Sequence, residues 1–156
     1  MRSVEVSLTI KAPMDQVLRE ISEYTHPPIL HKGRIKSVLV LEDENNVSVA
    51  LWRLKVLGFV REAKQRQTVM PPDKMTNETI SGFARGTVES TFLYETSEGT
   101  NIVDRVDIKV PRWGILLEPL VAWYTKRLVR SILLDHKRDI ESSSSSPFYK
   151  VQRQDN

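Results

Sequence analysis

Apolar and polar side chains alternate from the first residues of the chain. Val4, Val6, Leu8 and Ile10 are separated by Glu5, Ser7 and Thr9, the period of a strand with one buried face. Ala12-Pro13 ends it and opens a helix, because proline is tolerated where the first helical N–H groups have no partner. Val17, Leu18 and Ile21 give that helix one apolar face, and Pro27-Pro28 stops it near Tyr24. From Arg34 the period returns to two. Ile35 to Leu41 reads as a strand, Glu42 to Asn46 as a polar hairpin turn, and Val47 to Val56 as the returning strand. Gly58, Pro71-Pro72-Asp73, Gly86 and Ser97-Glu98-Gly99 then punctuate strands at Phe59–Val69, Met75–Phe83, Gly86–Glu95 and Asn101–Val110. Turns this short imply an antiparallel meander.

The period changes once more. Leu117, Leu120, Val121, Tyr124, Leu128 and Ile132 recur in steps of three and four, which predicts one long helix starting between residues 113 and 118 and ending near Glu141. Leu117, Val121, Tyr124, Leu128 and Ile132 are assigned to the sheet-facing side, and Trp123, Arg127 and Arg130 to the margin or solvent. Leu116, Val129, Leu133 and Leu134 make the stripe wider than a single sheet contact needs. Ser142 to Ser146 cannot bury apolar area, so residues 1–141 are expected to form one domain and 142–156 a flexible tail.

With 156 residues, such a domain buries roughly two thirds of its unfolded surface without staples. The chain has no cysteine, no run of apolar residues long enough to span a bilayer, and no apolar leader after Met1-Arg2-Ser3. A cytoplasmic protein is the resulting expectation. Cationic side chains number 23 against 20 anionic ones, a balance too even to call for nucleic acid. His26 and His31 lie five apart in a proline-containing loop, far short of a metal-ligand set, and His136 sits alone in the long helix. There is no serine or cysteine nucleophile setting. Neither a metal nor a cofactor is expected.

A strand, one or two short helices, six strands and a long terminal helix, opening on Val4-Glu5-Val6-Ser7-Leu8-Thr9-Ile10-Lys11-Ala12-Pro13 with Val17 in the first helix, resembles the START-like (SRPBCC) superfamily. Its members include birch-pollen-type allergens, polyketide cyclases, coenzyme Q-binding proteins and lipid-transfer domains. The resemblance covers residues 3 to about 141. It implies an α+β helix-grip fold, in which a curved antiparallel sheet of about seven strands holds the long helix with a hydrophobic cavity between them. The allergen branch has a glycine-rich loop after its second strand; Glu42 to Asn46 stands there in this chain, acidic and without glycine.

Given such a cavity, alternation selects its lining. Ile102, Asp104, Val106, Ile108 and Val110 are turned inward in the last strand, and Val88, Ser90, Phe92 and Tyr94 in the one before, since Glu89, Thr91 and Glu95 make the more polar face. In residues 59–69 the less charged face carries Phe59, Arg61, Ala63, Gln65, Gln67 and Val69. The candidate ligand-binding residues are therefore Trp52, Phe92, Tyr94, Val106, Tyr124 and Leu128 around an apolar body, with Arg61, Gln65 and Asp104 for a polar head. Arg61 and Asp104 are a candidate pair. The expected function is non-covalent binding, transport or sequestration of a hydrophobic small molecule or lipid. Its rivals are a cyclase or dehydratase acting in the same cavity and a protein-interaction module. Trp113 and Trp123, mixed with cations at the start of the long helix, suggest transient contact with a membrane surface, and the wide stripe leaves room for an oligomer.

Overall fold

The computed structural model describes residues 2–24, 27–31, 33–56, 58–110 and 112–144. Strand β1 (Arg2–Ile10) is followed by helices α1 (Met14–Ser22) and α2 (Pro27–Leu30). Then come β2 (Ile35–Glu44), β3 (Val47–Val56), β4 (Phe59–Met70), β5 (Lys74–Gly82), β6 (Val88–Thr96) and β7 (Gly99–Ile108). A 3-10 helix (Arg112–Leu117) leads into α3 (Glu118–Ser144). The seven strands form one sheet in the order β1-β7-β6-β5-β4-β3-β2, antiparallel throughout. The meander expected from the short turns is thus closed by β1, which pairs with β7 from Arg2↔Ile108 to Ile10↔Thr100.

The turns follow from their residues. Glu44 pairs with Val47, so Asn45-Asn46 is a two-residue hairpin loop; both asparagines have positive φ, the geometry that matches the twist of the flanking strands. Between β4 and β5 the register slips by one at Gln65↔Thr79, and Gly82 beyond the slip has φ +82° with Glu62 O only 2.4 Å from where a Cβ would stand. Glycine alone permits this approach, and the irregularity bends the strands locally.

Strand register also gives the sheet two distinct ends. The start of β2, the end of β3, the start of β4, the end of β5, the start of β6 and the end of β7 follow one another along one margin of the sheet, with the β3–β4 and β5–β6 connections and the 3-10 helix on it, while α2, just before β2, reaches α3 at Asp135 and His136 through His31. At the opposite end α1 packs against β5, β6, β7 and α3. Helix α3 runs between the two ends beside β1 and is fastened at the far one: Lys137 Nζ donates to Thr9 O at 2.6 Å and to Glu141 Oε1 at 2.7 Å, and Lys11 N donates to Glu141 Oε1 at 3.0 Å. Ile10, Val17, Leu93, Ile102, Leu133 and Ile140 form the heart of the core.

Two expectations are corrected. In β6 the buried face is Thr91 and Leu93, while Tyr94 is 52% exposed and Phe92 lies outside with the Lys74 ammonium 5.3 Å from its ring centre. The register explains why: Thr91 stands opposite Asp104 and Leu93 opposite Ile102, and directly paired residues share a face. On α3, Leu117 precedes the helix proper and is exposed, and the helix runs past Glu141 to Ser144. The tail from residue 145, His26, and the side chain of Trp113 lie outside the described residues. Among the described residues, no helix is long and apolar enough to cross a membrane.

Candidate functional site

Between the concave face of the sheet and α3 lies a cavity of about 310 Å3. Each element contributes side chains at its own period. From α3 come Val121, Tyr124, Thr125, Leu128, Ile132 and His136, steps of three and four along one face. The strands contribute alternate residues: Trp52, Leu54 and Val56 from β3, Ala63, Gln65 and Gln67 from β4, Met75, Asn77 and Thr79 from β5, Glu89 and Thr91 from β6, and Asp104, Val106 and Ile108 from β7. The helix side is predominantly apolar. The middle of the sheet side is polar.

That polar floor centres on two carboxyl groups. Asp104, only 4% exposed, accepts a hydrogen bond from Thr91 Oγ1 at 3.2 Å and shares another with the Glu89 side chain, whose Oε2 accepts from Asn77 Nδ2 at 3.1 Å. Burial, reinforced by the adjacent Glu89 charge, pushes the Asp104 carboxyl well above the usual carboxylate range. Two carboxyl groups in contact within a buried site oppose double ionisation, which favours the protonated form of Asp104. Chemically, Asp104 can donate a proton or a hydrogen bond from the polar floor toward the apolar helix side. Gln65 Nε2 donates to Thr79 Oγ1 at 3.5 Å nearby, and Gln67 Nε2 ties the floor to α1 through Ser22 O at 2.8 Å.

On the β3 side, Trp52 meets the Tyr24 ring edge-on, with centroids 5.8 Å apart. The Trp52 indole N–H is buried and has no hydrogen-bond partner, whereas Tyr24 Oη shares a hydrogen bond of 2.9 Å with Ser48 Oγ. Burial raises the Tyr24 phenol above its ordinary pKa.

A second polar cluster stands where the α2 segment meets α3. His31, 1% exposed, places Nδ1 3.1 Å from Asp135 Oδ2 and Nε2 3.3 Å from His136 Nε2, and Arg34 donates to the same Asp135 oxygen at 2.8 Å. A hydrogen bond between two imidazole nitrogens needs one donor and one acceptor, so the two rings take opposite roles at this contact. The cluster fastens His31 and Arg34 to α3 and closes one side of the cavity. Among the described residues, no group of three or more histidine, cysteine or carboxylate side chains is arranged to hold a metal ion.

Of the candidate residues, Trp52, Gln65, Asp104, Val106, Tyr124 and Leu128 do line one cavity. Phe92 and Tyr94 lie on the convex face of β6 and do not. Nor does Arg61: it has the cavity-facing parity of Ala63 and Gln65 but sits at the exposed start of β4, with its guanidinium 5.9 Å from the Phe59 ring centre. Asp104 is paired with Glu89 and Thr91 instead of Arg61. Glu89, Thr91, Asn77 and the His31–Asp135–His136 cluster were not anticipated. For the first two the signal was the two-residue turn at Ser97-Glu98, because it puts Thr91 beside Asp104. For the cluster, adjacent Asp135-His136 on a helix was the available hint.

No protein-family model and no curated sequence matches the chain. Solved structures do. The protein TTHA0849 of Thermus thermophilus superposes with a TM-score of 0.82 at 18% identity, covering 92% of this chain and 99% of that one. A START superfamily protein of Mycobacterium smegmatis gives 0.75 at 13% identity, covering 90% and 97%. The Zhui aromatase/cyclase of a Streptomyces strain gives 0.71 at 14% identity, covering 92% and 93%. The chain has the START-like helix-grip fold. Identities this low define the fold alone.

Proposed function

We propose that the domain binds a hydrophobic small molecule or lipid, with a polar group at one end, in the cavity between sheet and α3, without covalent chemistry. The observation that carries this reading is the division of the cavity wall into an apolar side on α3 and a polar patch on the sheet. Ligand sites of this size combine a largely apolar lining with a few placed polar groups. A hydroxyl or carbonyl on the ligand would meet the Glu89–Asp104 pair, which both donates and accepts, while Tyr124, Leu128 and Ile132 enclose the apolar body.

The test is titration with an uncharged polarity-sensitive dye, together with native mass spectrometry of freshly purified protein for a copurifying ligand. Dye fluorescence should rise saturably with wild type and be lost in Leu128→Arg. Failure of the folded wild type to bind any apolar probe would refute the reading.

The same carboxyl pair supports a second reading as an enzyme, with Asp104 protonating a bound ketone or leaving hydroxyl as a general acid. The aromatase/cyclase among the structural neighbours favours testing it. Asp104→Asn would abolish turnover while leaving ligand affinity nearly unchanged, whereas a pure binding protein would show no turnover to lose.

A further inference from the structure

We propose that the open end of the domain docks on a lipid bilayer carrying anionic headgroups. Large apolar side chains are exposed there on three separate segments: Phe59 at the start of β4, Phe83 after β5, and Leu116, Leu120 and Trp123 along the 3-10 helix and the start of α3. Strand register brings these three segments to one end of the sheet. Their exposure is large, 90% for Leu116, 67% for Phe59 and 60% for Leu120. Phe83 also lines the cavity, so this apolar rim is continuous with the cavity wall.

Charge selects the partner. On the outer face of α3, Leu120, Trp123, Arg127 and Arg130 succeed one another in steps of three and four, and all are exposed. The stripe is apolar at its first turns and cationic thereafter, with the Arg127 guanidinium 5.8 Å from the Trp123 ring centre and Lys126 beside it. The one acidic residue of α3 before Arg130 is Glu118. An apolar end followed by an indole and then by cations matches the order of acyl chain, interface and anionic headgroup. A second copy is the poorer fit, because a two-fold contact through this face would set its cations against themselves. Docked in this way, the rim would bring the cavity against the bilayer. That consequence rests on the ligand reading above, but the docking itself does not.

The experiment is co-sedimentation with vesicles of phosphatidylcholine alone and of phosphatidylcholine mixed with phosphatidylserine, at low and high salt, alongside sedimentation velocity without lipid. Wild type should partition onto the serine-containing vesicles, weakly or not at all onto the neutral ones, and less at high salt. Leu116→Asp/Leu120→Asp and Arg127→Glu/Arg130→Glu should each lower partitioning by at least about tenfold, since each cation near such a surface contributes about fivefold. Trp123 fluorescence should shift to the blue on binding, and Trp123→Phe should lose the shift. Dye binding without vesicles should persist in the first double variant, so a failed ligand site and a failed docking surface are told apart. The proposal is overturned if wild type ignores serine-containing vesicles at low salt, if the folded double variants partition as wild type does, or if the face proves to hold a dimer that Leu120→Asp dissolves.

Discussion

Replacing Val106 by phenylalanine distinguishes a cavity from a packed core by the sign of its effect. Val106 is buried in the middle of β7 and lines the 310 Å3 space, and β-sheet geometry accommodates phenylalanine without backbone strain. Fully burying such side chains is worth about 1.5 to 3 kcal/mol each, so the larger ring filling free volume should gain on the order of 1 kcal/mol over valine. In a close-packed interior the same enlargement would cost about 1 to 3 kcal/mol through displaced rotamers. For a domain of this size, 1 kcal/mol corresponds to about 2 to 4 °C in Tm. Val106→Phe is therefore expected to raise Tm by a few degrees in differential scanning calorimetry and to weaken binding of the apolar dye in the same preparation. A lowered Tm with unimpaired dye binding would refute both the placement of Val106 on the cavity wall and the claim that the space is empty enough to fill.

Asp104 makes stability depend on pH with a defined sign. Its carboxyl has a raised pKa in the native state, whereas the unfolded chain ionises it near 3.9. Above that pH the native state holds more protons, so native stability falls as pH rises until native Asp104 also ionises, by about 1.4 kcal/mol for each tenfold difference in proton affinity. Asp104→Asn cannot ionise; urea midpoints at pH 4, 6 and 8 should show its advantage over wild type growing with pH, and a constant gap would count against a buried protonated acid. Asp135→Ala leaves the buried His31 without its acceptor and should cost about 1 to 3 kcal/mol, read as a fall in Tm. Arg34→Gln, at the exposed margin of the same cluster, should cost less than about 1 kcal/mol; equal losses would contradict a histidine-centred fastening.

The residues that announced the fold were those whose local pattern had one interpretation. Val4 to Ile10 alternate cleanly, the asparagine turn fixes the β2–β3 hairpin, and the step of three and four from Val121 to Ile132 admits only a helix. The site was harder because alternation yields two faces without saying which is buried. In β7 charge resolved the choice, since Arg105, Asp107 and Lys109 belong outside. In β6 charge misled it, because Glu89 and Thr91 are drawn inside by Asp104 and Asn77 on the neighbouring strands. Arg61 shows the other limit. Parity placed it with Ala63 and Gln65 correctly, but nothing local to Phe59–Met70 tells where along the strand the cavity ends. The His31–His136 contact joins residues more than a hundred positions apart and has no periodic signature.

Helix α3 has 27 residues, hence a length of about 40 Å, and its two halves are held differently. Among the described residues, the polar ties from α3 to the rest of the domain begin at Asp135 and continue through His136, Lys137 and Glu141. The earlier turns are held by apolar packing alone, with Ala122 and Val129 buried in the core, the cavity beside Val121 and Tyr124, and solvent beyond Trp123. Packing without polar ties is the weaker of the two attachments, so any tilt of α3 would be concentrated in these turns, with the core around Leu133 and Ile140 left in place. The ligand proposed above would then enter by displacing one helix, with no unpairing of the sheet.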